Sequence, residues 1–292
     1  MRQAGRYLPA YRKVREGVSF LEMCRDVDRA VEVSLQPIEH VGTEAVILFS
    51  DIFVPIPGMG VELDFAPGPI IAQPLRTREQ VDALQIPDCR ESVPYVFEIL
   101  ARLRQELESR QIPLLGFAGA PFTLAAYLVE GSGSRDFSNL KRLMYRDPET
   151  LELLLDHLAT LVTDYLRAQV EAGAQVVQLF DTWAGLLSSS DYQRWVLPWH
   201  QRIAEGLAGA GAPLILYVNN SAHLVDWMAD SGADVISLDW RCDLAAAAAR
   251  VGDRVSLQGN LDPCALSAPS QRIHSMVAEL AEAAKPARGH IL

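Results

Sequence analysis

TLELLLDHLATLVTDYLRAQVEAGAQVVQLFDT, residues 150–182, holds one helix-to-strand unit whose reading decides the fold. Leu151, Leu154, Leu155, Leu158, Leu161, Val162, Tyr165 and Leu166 follow the i, i+3, i+4, i+7 rule. That spacing predicts a helix over residues 150–170 with its apolar face in a core. Asp147-Pro148 supplies an N-cap followed by proline at the first helical position, where an N–H would be unpaired in any case, and Gly173 is the predicted stop. The pattern then changes. Val176-Val177-Gln178-Leu179-Phe180 is a nearly unbroken apolar run, as expected of a strand covered on both faces, and it ends on the polar pair Asp181-Thr182.

The same alternation extends in both directions. Ala45-Val46-Ile47-Leu48-Phe49 and Leu114-Leu115-Gly116-Phe117 precede this unit. Leu214-Ile215-Leu216-Tyr217-Val218, Asp234-Val235-Ile236-Ser237-Leu238, Val255-Ser256-Leu257-Gln258 and His290-Ile291-Leu292 follow it. Residues 27–41 have a helical period that Pro37 is expected to kink. Strand then helix, repeated about seven times without a linker, reads as one α/β domain over residues 1–292. Pattern alone leaves a closed barrel and an open doubly wound sheet both standing. Polar or glycine residues decide between them: Ser50-Asp51, Ala118-Gly119, Asp181-Thr182, Asn219-Asn220, Asp239 and Gly259-Asn260 follow nearly every strand, as chemistry at a barrel mouth requires. The expected fold is a single-domain (β/α)8 TIM barrel. Met1 already opens a functional-looking segment and Leu292 falls inside the last run, so the barrel is expected to be truncated at both ends, with first and last strands incomplete.

A formal net charge of -11 argues against a nucleic-acid binder, which needs clustered cations over a wide face. A local exception stands at the start, where Arg2, Arg6, Arg12, Lys13 and Arg15 all precede the first acid, Glu16; on charge alone the run reads first as a solvated face. Cys24, Cys89, Cys242 and Cys264 are far apart with no zinc-type spacing, which fits unpaired thiols in a reducing compartment. No apolar stretch approaches the roughly 18 residues of a membrane span and no signal-peptide pattern opens the chain. No membrane association and a cytoplasmic location are therefore expected.

Asp51 and Asp181 are strand-end carboxylates, and each reads either as a site residue or as the cap of the next turn. Together they suggest a metal pair or a cationic transition state. His40, His157, His200, His223, His274 and His290 are scattered, mostly as helix-surface or packing residues, so no metal is expected. Gly131-Ser132-Gly133-Ser134-Arg135 reads as a flexible loop, and no nucleophile elbow is present. What remains is an Arg cluster, strand-end carboxylates and the aromatics Phe53, Phe117, Tyr127 and Phe180. This set suits a flat, partly apolar, multiply anionic small molecule.

Met1-Arg2-Gln3-Ala4-Gly5-Arg6-Tyr7-Leu8-Pro9 resembles the signature of the uroporphyrinogen decarboxylase family. So do Ile47-Leu48-Phe49-Ser50-Asp51-Ile52, Gly116-Phe117-Ala118-Gly119-Ala120-Pro121-Phe122-Thr123, Tyr127-Leu128-Val129-Glu130-Gly131, Phe180-Asp181-Thr182-Trp183-Ala184-Gly185 and Leu257-Gln258-Gly259-Asn260-Leu261-Asp262-Pro263, in the family's order. The resemblance implies a cofactor-free carboxy-lyase of porphyrin and heme biosynthesis that decarboxylates a tetrapyrrole, working as a homodimer. It implies that Arg2 and Arg6 bind substrate carboxylates, with Arg2 also catalytic, and that Gln3, Ala4 and Gly5 lend the backbone of the same loop. Asp51 would stabilise the transition state facing the pyrrole N–H groups. Tyr127 and Thr182 would complete the substrate contacts, Thr182 standing where many relatives carry Ser. The family also has a substrate-contacting His beyond the equivalent of Leu292, a role that His290 is not expected to fill.

Two rival readings follow. A related branch transfers methyl groups from corrinoids using zinc held by His and Cys, for which Cys242 and Cys264 lack partners in the sequence. An inactive porphyrinogen-binding remnant is the other, motivated by the shortened ends.

Overall fold

A computed structural model of the chain describes residues 6–65 and 68–292. Arg2, Gln3, Ala4 and Gly5 lie outside the described residues. All seven apolar runs are strands. In chain order, with a short pair that the sequence reading did not identify, the strands are β1 (Val46–Ile47), β2 (Leu63–Phe65), β3 (Pro69–Ile71), β4 (Leu114–Gly119) and β5 (Val176–Asp181). They continue as β6 (Leu214–Val218), β7 (Val235–Ser237), β8 (Ser256–Gln258) and β9 (His290–Ile291). The fold is α/β, with a parallel sheet ordered β1-β4-β5-β6-β7-β8-β9 and the antiparallel pair β2-β3 set apart. That order follows the chain without reversal, which removes the doubly wound alternative, since such a sheet reverses at its switch point. Among the described residues no helix is long and apolar enough to cross a membrane.

The chain divides into two compact units, Met1–Gln178 with Leu207–Ala212, and Leu179–Gly206 with Pro213–Leu292. In the first, the helix predicted over residues 150–170 runs Pro148–Glu171, with the Asp147 carboxylate accepting from Thr150 N–H and the apolar face fully buried. Gly173 ends it with φ +117°, a left-handed conformation that glycine adopts without strain. The same helix reaches β4 through a buried amide: Gln169 Oε1 accepts from Phe117 N–H at 2.8 Å and Nε2 donates to Phe117 O at 2.9 Å. Gly116 is required there, because a Cβ would stand 2.3 Å from Gln169 Oε1. The helix Val27–Val41 continues through Pro37 to Gly42, so proline does not end it. Its Ser34 hydroxyl donates to Ala30 O and accepts from Phe49 N–H at 2.9 Å, which fixes the chain just past β1.

In the second unit, β6, β7, β8 and β9 pair in parallel with Tyr217 beside Ser237 and Ser237 beside Gln258. The residues following these strands share one edge. There, Asp239 Oδ1 accepts from Arg241 N–H at 2.9 Å and Oδ2 accepts from Asn220 N–H, while Asn260 Nδ2 donates to Asp239 O and Cys242 O. His290 donates from Nε2 to Gly259 O, a bond between β9 and the loop after β8.

Candidate active site

In the first unit the chain leaves β1 through Phe49 and turns at Ser50-Asp51. Asp51 Oδ1 accepts from Phe53 N–H at 3.1 Å, an Asx turn, so this carboxylate does cap the following turn. It is partly exposed, yet burial raises its pKa from 3.8 to about 6, against the lowering effects of the Phe53 N–H, the Arg6 charge and the Ile52 N–H. The group is thus a carboxylate held at some cost, poised to gain from a cationic neighbour.

Arg6 places its guanidinium 4.8 Å over the Phe20 ring, and Arg15 lies 5.9 Å over the same ring. Phe20 is the first residue of a helix, Phe20–Arg25, whose Ser19 N-cap and Glu22 form a capping box. From Phe20, rings connect in both directions. Phe49 stands at 5.9 Å and Phe65 at 5.4 Å; Phe65 meets Phe53 at 6.3 Å, Phe53 meets Tyr127 at 5.0 Å, and Tyr127 meets Phe137 at 6.2 Å. Tyr127 projects from the helix Pro121–Glu130. Arg6, Asp51 and Tyr127 are therefore joined by one aromatic wall, while Phe20 and Phe65 were not singled out in the sequence because nothing local distinguishes them from core. Cys24 lies close by, but burial first, and then the Asp51 charge, push its thiol up to about 12, so it is no nucleophile.

In the second unit Asp181, the other strand-end carboxylate, read either as a site residue or as the cap of the next turn, is fully buried. Its Oδ2 lies 2.8 Å from His200 Nε2, and His200 Nδ1 lies 3.1 Å from the Tyr192 hydroxyl. Simple valence fixes the roles: the carboxylate needs a donor at Nε2, which leaves Nδ1 to accept from the phenol when the ring is neutral. His200, 1% exposed, is thus the centre of a buried network rather than one more scattered histidine. Thr182, next in the chain, is partly exposed on the turn after β5, and Phe180 stacks edge-on against Tyr217 at 5.8 Å. Gly185 closes this turn against Asn219 O, where a Cβ would approach to 1.8 Å.

Comparison with known proteins fits this arrangement. The uroporphyrinogen decarboxylase (URO-D) family model matches residues 1–292. Uroporphyrinogen decarboxylase of Citrifermentans bemidjiense is 49% identical over 277 residues, covering 95% of this chain and 81% of that protein. The Geobacter sulfurreducens enzyme of the same name is 45% identical over 291 residues, covering 100% and 85%. A solved methyltransferase from Methanosarcina mazei shares the fold at a TM-score of 0.80 with 20% identity, over 95% of this chain and 83% of that one. A family match over the whole length, with close relatives covered across most of theirs, means that the chain belongs to the uroporphyrinogen decarboxylase family of carboxy-lyases.

Proposed function

We propose that this chain removes the four acetate carboxylates of uroporphyrinogen III to give coproporphyrinogen III, without a cofactor, on a single (β/α)8 barrel domain. Protonation of a pyrrole carbon beside an acetate arm makes the ring a cationic electron sink. The electron pair of the breaking C–C bond flows into it and carbon dioxide leaves. A proton taken up at the exocyclic carbon and one lost from the ring leave a methyl group. The Asp51 carboxylate faces the pyrrole N–H groups and stabilises the growing cation, an effect worth about 3 kcal/mol for a preorganised group. Arg2 and Arg6 hold peripheral carboxylates with the Gln3, Ala4 and Gly5 backbone between them, and Tyr127 and Thr182 add hydroxyl contacts. The same reading takes the protein as a cytoplasmic homodimer.

The observation that carries this reading is the setting of Asp51: a turn-anchored carboxylate whose pKa is raised by burial to about 6, beside Arg6. A flat macrocycle edged with carboxylates and bearing inward N–H groups suits a cation over an aromatic ring with a carboxylate in its electrostatic reach. Anaerobic incubation with reduced uroporphyrinogen III tests it by product mass. Stepwise loss of carbon dioxide ending at four losses is expected, and an intact substrate would remove the assignment.

A further inference from the structure

Along the edge after β6 and β7, the second unit carries an arginine that the scheme above does not use. Arg241 lays its guanidinium 4.2 Å over the ring of Trp240, which remains 41% exposed despite its size. Nη1 is 3.3 Å from Asp239 Oδ1 and 3.4 Å from Asn219 Oδ1. Among the described residues Nε and Nη2 meet no acceptor, so the edge of the guanidinium suited to a two-pronged carboxylate contact is open. Asp239 pairs with this guanidinium from the Nη1 side only, and its two oxygens also accept backbone N–H groups from Asn220 and Arg241. Its side chain is 2% exposed, against 45% for that of Arg241. A half-exposed cation is thus held rigidly by stacking on one side and tethering on the other, in a chain whose net charge is -11.

We propose that Trp240 and Arg241 form a subsite for one peripheral carboxylate of the tetrapyrrole, the guanidinium gripping the carboxylate and the indole covering its methylene stem. This inference rests on the decarboxylase reading for its ligand. Binding at the C-terminal edge of parallel strands is the general habit of α/β proteins, and Thr182 directly follows β5, the strand beside β6 in the sheet order.

The test uses the whole chain, wild type and with Arg241→Gln or Arg241→Lys. The probes are uroporphyrin III, which is not turned over, and coproporphyrin III, which lacks the acetate arms; binding is followed by fluorescence anisotropy. Arg241→Gln is expected to bind uroporphyrin roughly tenfold more weakly, and Arg241→Lys to recover part of the loss, since it restores charge without the fork. Thermal midpoints should be unchanged, as Asp239 keeps both its N–H partners. A loss confined to uroporphyrin assigns an acetate arm, and a loss with both ligands assigns a propionate. Unchanged binding of uroporphyrin by Arg241→Gln would overturn the proposal. Turnover of uroporphyrinogen is measured in parallel. A wild type that binds but does not decarboxylate defeats the function reading while leaving the subsite to the binding comparison; full turnover with unaltered binding in Arg241→Gln does the reverse.

Discussion

At the scale of single residues, Asp51 couples function to stability with an unusual sign. Its pKa rises from 3.8 to about 6 on folding because burial disfavours the charge. The folded state therefore holds this proton more tightly than the unfolded chain, and stability declines as pH rises through that window, then levels off above it. Asp51→Asn should lose most decarboxylation yet be about 1–3 kcal/mol more stable than wild type at pH 8. The advantage should vanish near pH 3, a comparison that urea unfolding at the two pH values makes directly. In the wild type, kcat/KM is expected to fall on the acid side with an apparent pKa near 6, because a protonated Asp51 no longer stabilises a cation. Replacing Arg6 by Ala should weaken binding of the octacarboxylate by roughly tenfold, read by the same anisotropy measurement. The position of Asp51 was legible, since a carboxylate after an apolar run marks a strand end. Its environment was not: Phe20 and Phe65 are distant in sequence and join the ring chain through Phe49 and Phe53 only in the fold.

At the scale of elements, capping chemistry made the long helix readable almost to its ends. Asp147, Pro148 and Gly173 act on their own neighbours, and local rules see them. The pairing of Asp181 with His200 escaped those rules because the partner stands nineteen positions away. Removing that partner should be costly: His200→Leu is expected to destabilise the fold by about 3 kcal/mol, as a buried carboxylate loses one of its partners. His200→Gln, which keeps an N–H, should recover part of that in denaturant midpoint. Gly185→Ala should be worse than either, because the obstruction at Asn219 O is backbone and cannot swing aside. The β2-β3 pair escaped notice because its strands are only three residues each and partly buried, too short for an apolar run to announce them.

For the whole molecule, stability is expected to be graded. The helix Pro148–Glu171 presents a continuous buried face, whereas Ser270–Ala283 has no buried residue. Amide hydrogen exchange should therefore release Ser270–Ala283 well before Pro148–Glu171, at free energies far below that of global unfolding. Uniform protection of the two helices would contradict this. The parallel α/β architecture was legible because strands covered on both faces carry their own apolar signature. The sheet order adds a consequence for biosynthesis. Each of its strands lies beside the one made before it, so a nascent chain never has to wait for a partner still inside the ribosome. Chains stalled at increasing lengths should accordingly gain protease protection strand by strand during synthesis, rather than all at once on release.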